Sequence, residues 1–527
     1  MPPAKLSRRQ FLTASTAAVV GGALLPRQNA APDTPRGAVS RSVRRPNMVI
    51  FLPDQMRAES VGCYGHPLIR TPNIDRLAAE GTRFAHCVCH PLCVVSRVSM
   101  VTGWPAHVHG HRSFQHLLNP DDPNLFRCLK EAGYDVFWFG KNDILVHDRF
   151  ERSATEWGFF AQGPEWDARD NPWPVDHPLH YSFLFKAGAG DRRSYPDFAR
   201  VQAGIRVLQR PHDHPFCLFL PLWFPHPPFT GPEDFFNLYQ AADLPPLRPA
   251  GTNKPAFYEA IRRSRRLERL GDADFRRINA VYLGMISYTD WLLGELLAAL
   301  DASGHAADTA VIFASDHGEW AGDYGLVEKW SSAMDDCLTQ VPLIIRTPGG
   351  ARGRAVEGMT QLSDLMATCL EIAGVKAGHT HFSRSLVPLL NGAPDDLQRA
   401  AFSEGGYNEH EPQCFENLPL KPDHIYYPKI HLQNAQPDTI TRATMMRTRD
   451  YKLVLRPDGV SEFYDLQRDP RELNNVFGHQ TYASQQAAML QATLDWYIRT
   501  SDVSPPDMKD ERDLPKDNLR IFAPQKS

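Results

Sequence analysis

Short apolar runs, several of them followed at once by polar residues, constrain the fold of this chain more than any other feature. Met48-Val49-Ile50-Phe51-Leu52 ends at Pro53-Asp54-Gln55. Val136 to Phe139 stops at Gly140, next to Lys141. Phe216 to Leu222 precedes His226, and Thr309 to Ala314 runs into Ser315-Asp316-His317-Gly318. Val341 to Arg346 is a fifth run. Unbroken apolar stretches of this length fit strands buried on both faces. Tyr282 to Leu300 places apolar residues at helical spacing just before one of them, so helix, strand and polar turn follow in order. The expected fold is α/β, a large mixed, mostly parallel β-sheet sandwiched by helices. Ligands of such sheets bind beyond the carboxyl ends of the strands, where Asp54, Lys141, His226 and Asp316 all fall.

Asn73 to Gly81 reads as a short helix with an asparagine cap and a terminal glycine. The texture changes near residue 400: residues 404–440 are loop-like, and 444–455 and 462–466 look like strands of a small antiparallel sheet. Residues 483–499 are expected to be helical. The expected organisation is an α/β domain over 46–403, a smaller C-terminal α+β subdomain over 404–503 and a loose tail over 504–527.

The first 31 residues read as an export signal. Lys5, Arg8 and Arg9 open it, and Ser7-Arg8-Arg9-Gln10-Phe11-Leu12 resembles the twin-arginine pattern before a small-residue, weakly apolar stretch. Residues 32–45 form a linker, and the expected location is periplasmic or extracellular. No apolar run reaches the ~20 residues of a spanning helix, so no integral membrane segment is expected. After Arg45 there are 49 basic and 60 acidic residues, a formal charge of −11. Such a surface repels phosphate backbones, so nucleic acid is not an expected partner.

Three of the nine cysteines crowd into His86-Cys87-Val88-Cys89-His90-Pro91-Leu92-Cys93. No second half of a thiolate zinc site accompanies them, which leaves most of the thiols as buried small hydrophobes. Cys93 stands apart, because Arg97 follows it by one helical turn and Thr102-Gly103 comes after. That spacing places residue 93 at a helix N-terminus, where free N–H groups favour an anion.

The stretch from Cys93 to Gly103 resembles the signature of the type I, formylglycine-dependent sulfatases of the alkaline phosphatase superfamily. The resemblance extends to Asp54-Gln55, Cys63-Tyr64-Gly65, Thr71 to Leu77, Gly140-Lys141, Pro225 to Phe229, Ser315 to Gly318, Lys329 and Phe463 to Leu466, in family order. It implies an alkaline-phosphatase-like fold and a sulfuric ester hydrolase in which Cys93 is oxidised to formylglycine by a maturation enzyme. It further implies a divalent ion on Asp54, Gln55, Asp316, His317 and the modified residue 93. Oxygen-rich ligation suits Ca²⁺ first, while His317 in place of a common Asn leaves Mn²⁺ open. In this reading Arg97 and the ion stabilise one hydroxyl of the hydrated aldehyde as nucleophile, and the second hydroxyl later expels sulfate. Lys141 and Lys329 match positions that grip sulfate oxygens, and His226 matches the group that protonates or holds the leaving oxygen.

Val95 departs from the Pro or Ala of the modification signature, and Asp143 stands where many relatives carry His. His107, His109, His111 and His116 are expected to contribute some pocket residues. The resemblance implies a sulfated glycan, a small aryl sulfate or a sulfated lipid as substrate, with the pocket rim placed in residues 150–215 and 404–440. Two other readings stand beside this one. The first is a phosphonate or phosphate ester hydrolase on the same scaffold, against which Lys141 argues. The second is a non-catalytic exported binding protein that keeps the Cys93 thiol.

Overall fold

The computed structural model describes residues 45–158 and 171–503, so the proposed export signal, most of the linker and the tail lie outside the described residues. Eight strands form the main sheet: β1 (Asn47–Leu52), β2 (Thr82–Val88), β3 (Asp135–Phe139), β4 (Glu156–Gly158), β5 (Phe216–Pro221), β6 (Thr309–Ala314), β7 (Gln340–Arg346) and β8 (Arg354–Gln361). Their order is β4-β3-β5-β1-β6-β7-β2-β8. Only the β6–β7 and β7–β2 pairings are antiparallel. The sheet is therefore mixed and mostly parallel, as the apolar runs imply.

Every residue of β1, β5 and β6 is buried. Alternation sorts their side chains into two cores. Val49, Phe51, Leu218, Leu220, Val311 and Phe313 face one, and Met48, Ile50, Leu52, Phe219 and Ile312 face the other. The helix Asp272–Ser303 covers the first face through Ile278, Leu292, Leu296 and Leu300. It begins ten residues before the apolar spacing starts, because its first turns bury few residues. The helices Cys93–Thr102 and Asp364–Ala373 cover the second face through Val98, Val101, Leu365 and Met366.

The helix at Asn73 corrects one expectation. It spans Pro72–Glu80, its N-cap Thr71 makes no side-chain capping bond, and Asn73 lies inside it. The cap comes from Asp290 on the long helix, whose Oδ1 accepts the N–H groups of Asn73 at 3.0 Å and Ile74 at 2.8 Å. A tertiary carboxylate has replaced the local cap.

Four further strands, β9 (Ala401–Gly405), β10 (Ala443–Arg447), β11 (Tyr451–Leu455) and β12 (Glu462–Asp465), make a separate antiparallel sheet in the order β12-β11-β10-β9. The helix Ala483–Thr500 follows it. The loop-like stretch between β9 and β10 contains a helix, Tyr427–Ala435, which the composition did not announce. Among the described residues no helix is long and apolar enough to cross a membrane.

Candidate metal and sulfate-ester site

The site forms where neighbouring strands end. β1 and β6 pair in parallel register, so Asp54 and Asp316 leave the sheet side by side. The turn after β1 puts Gln55 in the left-handed region at φ 70°. Such a conformation costs a side chain about 1–3 kcal/mol, and the neighbours must hold it. The Tyr282 hydroxyl donates to Gln55 O at 2.7 Å, and Ser315 Oγ accepts from Met56 N at 2.9 Å. After β3 the chain turns at Gly140, φ 139°. A Cβ there would lie 2.1 Å from Pro221 O, so only glycine lets Lys141 follow.

Cys93 is the first residue of its helix and Arg97 lies one turn on, both buried. The Arg97 guanidinium bridges the two strand ends, with Nε donating to Asp316 Oδ2 at 2.7 Å and Nη2 to Asp54 Oδ2 at 2.9 Å. Its Nη1 has no hydrogen-bond partner among the described residues. The ligand atoms of Asp54, Cys93, Asp316 and His317 all lie within 4.8 Å of one another, and all four residues are buried. His317 Nε2 sits 3.0 Å from Cys93 Sγ and 3.5 Å from Asp54 Oδ1. Its Nδ1 lies 2.9 Å from Gly318 O, which fixes the proton on Nδ1 and leaves Nε2 as a lone pair facing the cluster.

Burial opposes ionisation of Asp54, but Lys141, Arg97 and nearby imidazoles more than offset it and hold the carboxyl well below the usual range. Burial, with Asp54 beside it, pushes the Cys93 thiol up to about 12 against the pull of Lys141 and Lys329. An unmodified thiol here is protonated at neutral pH, a weak nucleophile and a weak ligand.

Lys141 Nζ lies 2.6 Å from Asp54 Oδ2, 2.9 Å from Asp143 Oδ2 and 3.7 Å from Cys93 Sγ, over the Trp223 ring. On the other side Lys329 Nζ donates to Gln55 Oε1 at 2.7 Å and to His226 Nε2 at 3.1 Å. The Gln55 amide nitrogen donates to Glu319. Burial and the Lys329 ammonium hold the His226 imidazole well below its ordinary value. Its proton sits on Nδ1, which faces Pro227 O at 2.6 Å. The geometry thus brings together the residues to which the sequence reading gave a catalytic or metal-binding role: Asp54, Gln55, Cys93, Arg97, Lys141, His226, Asp316, His317 and Lys329.

A cavity of about 730 Å³ opens above them, lined by Cys93, Lys141, Asp143, His226 and Lys329 on its polar side. Residues 416–430 form its far wall, within the expected rim, while no described residue of 150–215 lines it. The histidines at 107, 109, 111 and 116 do not line it either. His107 bonds Glu404 and the end of the last helix, and His111 bonds His116 O. Sequence reasoning missed Glu319 and Glu328, buried acids that brace Gln55 and Lys329. Their place beside Asp-His-Gly and Lys329 was the available signal. It also missed Trp223, Glu416, Tyr426 and Lys429, for which no local pattern exists.

A family model described as Sulfatase matches residues 46–375. The multifunctional alkaline phosphatase superfamily protein PehA of Trinickia caryophylli is 28% identical over 86% of this chain and 93% of its own length. The N-acetylglucosamine-6-O-sulfatase of Bacteroides thetaiotaomicron is 25% identical over 85% of each chain. Among solved structures, the phosphonate monoester hydrolase of Agrobacterium radiobacter superposes with a TM-score of 0.71 at 24% identity, covering 86% of this chain and 96% of that one. With the family model covering well over half the chain, and with a mixed sheet that delivers Asp54, Cys93 and Asp316 to one point, this protein belongs to the sulfatase family of ester hydrolases.

Proposed function

We propose that this chain is an exported sulfatase that hydrolyses sulfate monoesters of sugar or aryl alcohols, using formylglycine made from Cys93. One observation carries the reading: Cys93, at a helix N-terminus, lies with three other buried ligand-bearing side chains, and it shares the lining of one cavity with two lysines. Asp54, Asp316, His317 and the modified residue 93 would hold a divalent ion, with the Gln55 amide oxygen beside them. The donor set fits, since His317 Nε2 is unprotonated and Asp54 is ionised. Oxygen donors favour Ca²⁺, with Mn²⁺ the alternative that a nitrogen ligand allows. Such an ion supplies fixed positive charge that lowers the pKa of a hydroxyl placed at residue 93.

The chain's own residues do the rest. Arg97 bonds both carboxylates and keeps them aimed, and its uncommitted Nη1 is a donor for an oxygen brought into the site. Lys141 and Lys329, on opposite sides of Cys93, bind the sulfate oxygens and balance charge that grows on them. His226, joined through Nε2 to Lys329, serves the leaving oxygen, which takes its proton from this pair. Residues 46–403 and 404–503 are assigned to the catalytic unit and its C-terminal subdomain, and residues 1–31 to a twin-arginine signal that delivers the enzyme to the periplasm or beyond.

The test is expression with a formylglycine-generating enzyme, peptide mass spectrometry across residue 93, and rates on matched aryl sulfate and aryl phosphonate monoesters. Aldehyde at 93 with preferred sulfate release is the expected result. A free thiol with full activity overturns the reading. Faster phosphonate cleavage favours the phosphonate monoester hydrolase reading, and Lys141 beside Asp54 and Cys93 argues against that outcome.

A further inference from the structure

The cavity above Cys93 also carries information about the alcohol half of the ester. Three lysines line it among the described residues, and no arginine does. Lys141 and Lys329 belong to the sulfate end. Lys429, the third, is buried, with Nζ 3.2 Å from Glu328 Oε1 and 3.3 Å from Glu416 Oε1, behind the Phe114 ring. Its charge is already committed to two carboxylates. Asp143, Glu328 and Glu416 balance the three lysines, so the lining as a whole is neutral. A second sulfate or a uronate on the substrate would meet no available cation there, and would lie near Asp143 and Glu416.

Apart from His226, His424 and Tyr426, the remaining lining is apolar. Trp223 stands against His226 with ring centroids 4.6 Å apart, and Phe114, Leu418, Leu420, Ile425 and Ile430 continue the wall outward. Leu418 is 59% exposed, a large aliphatic side chain left in solvent at the mouth. A second hollow of about 590 Å³ shares Leu418, Leu420 and Ile430 and extends the same surface. Cavities of about 300–1,000 Å³ take ligands well beyond a bare sulfate.

From this lining, and building on the sulfatase reading, we infer that the alcohol released is bulky, uncharged and apolar, a fused-ring or aromatic alcohol carrying a single sulfate. Multiply anionic saccharides are disfavoured by the same walls. Sulfate leaves the floor between the lysines while the ring system rests on Trp223, Phe114 and the leucine rim.

The experiment uses the full enzyme with aldehyde at residue 93 verified by mass spectrometry. Primary alkyl sulfates remove leaving-group differences: cyclohexylmethyl sulfate is compared with N-acetylglucosamine 6-sulfate and with glucosamine 2-N,6-O-disulfate. The expected order of kcat/KM is cyclohexylmethyl first and disulfate last, with about tenfold or more between them, a difference of about 1.4 kcal/mol in transition-state binding. L418D, at a largely exposed position, should lower kcat/KM for cyclohexylmethyl sulfate through KM with little change in kcat, and should lower it several-fold less for the monosaccharide sulfate. Fastest release from the disulfate overturns the inference while leaving the sulfatase reading intact, as does an equal effect of L418D on both substrates. No sulfate release from any of the three overturns the sulfatase reading itself.

Discussion

Arg97→Met is the substitution that probes the site most directly, because it keeps an unbranched apolar stem and removes the charged head. In the wild type the fully buried guanidinium pairs with Asp54 at 2.9 Å and Asp316 at 2.7 Å, and all three side chains are inaccessible to solvent. Without it Asp54 keeps Lys141, while Asp316 keeps only the N–H groups of Gln55 and His317 as close partners. Breaking a buried pair in this way costs about 3–5 kcal/mol, since the stranded charge stays desolvated. Urea unfolding at pH 7 in the presence of EDTA should show that loss. An ion bound to the same carboxylates repays part of it, about 2.7 kcal/mol at 100 times its Kd, and the variant should gain more from Ca²⁺ than the wild type because a competing cation has gone. The sign with pH is also set. The folded pKa of Asp54 is depressed below the ordinary aspartate value of about 3.9, so its contribution is complete above about pH 4 and is lost as pH falls through the lower folded value. Wild-type stability in EDTA should therefore be insensitive to Asp54 down to about pH 4. A loss below about 1 kcal/mol for R97M, or no added response to Ca²⁺, refutes the picture of two buried carboxylates held by Arg97 for an ion.

Val95 is buried in the first core with Val49 and Phe51, and it is the residue that departs from the Pro or Ala of the modification signature. Val95→Ala should raise the aldehyde fraction at residue 93 on co-expression with a converting enzyme, read by peptide mass spectrometry, and activity per mole of aldehyde should stay constant. Burial pushes the Asp290 carboxyl up to about 7 despite the N–H groups it accepts. A raised acid pKa means the folded state holds the proton more tightly, so stability falls as pH rises from about 4 to 7, by at most about 1.4 kcal/mol per pH unit. Asp290→Asn, unfolded by urea across that window, should flatten the slope. Lys452, fully buried on β11, binds Asp336, Glu472 and Met334 O and ties the antiparallel sheet to the main one. Lys452→Met should cost about 3–5 kcal/mol and expose the segment after Ala401 to limited proteolysis.

How far the sequence could be read depends on which half of the site is asked about. Asp54, Lys141, His226 and Asp316 were legible because strands buried on both faces must be apolar, and the first polar residue after each run marks a strand end. β2 and β8 were not, since their partly exposed residues, such as Arg83, His86, Arg354 and Glu357, break the apolar run. The Asp290 cap lay 217 residues from Asn73 and had no local trace. The cavity's far wall was illegible for a further reason. Residues 416–430 are placed by contacts from elsewhere: Tyr181 and His180 donate to Pro422 O and Asp423 O, and Arg265 to Ile425 O. The sulfate end is thus built on strand ends that the core fixes, and the alcohol end on a segment that only tertiary contacts fix. On the proposed assignment, substitutions in 416–430 change which ester is cleaved at small cost to the sheet, whereas a change at Asp54 or Asp316 alters whether any ester is cleaved at all.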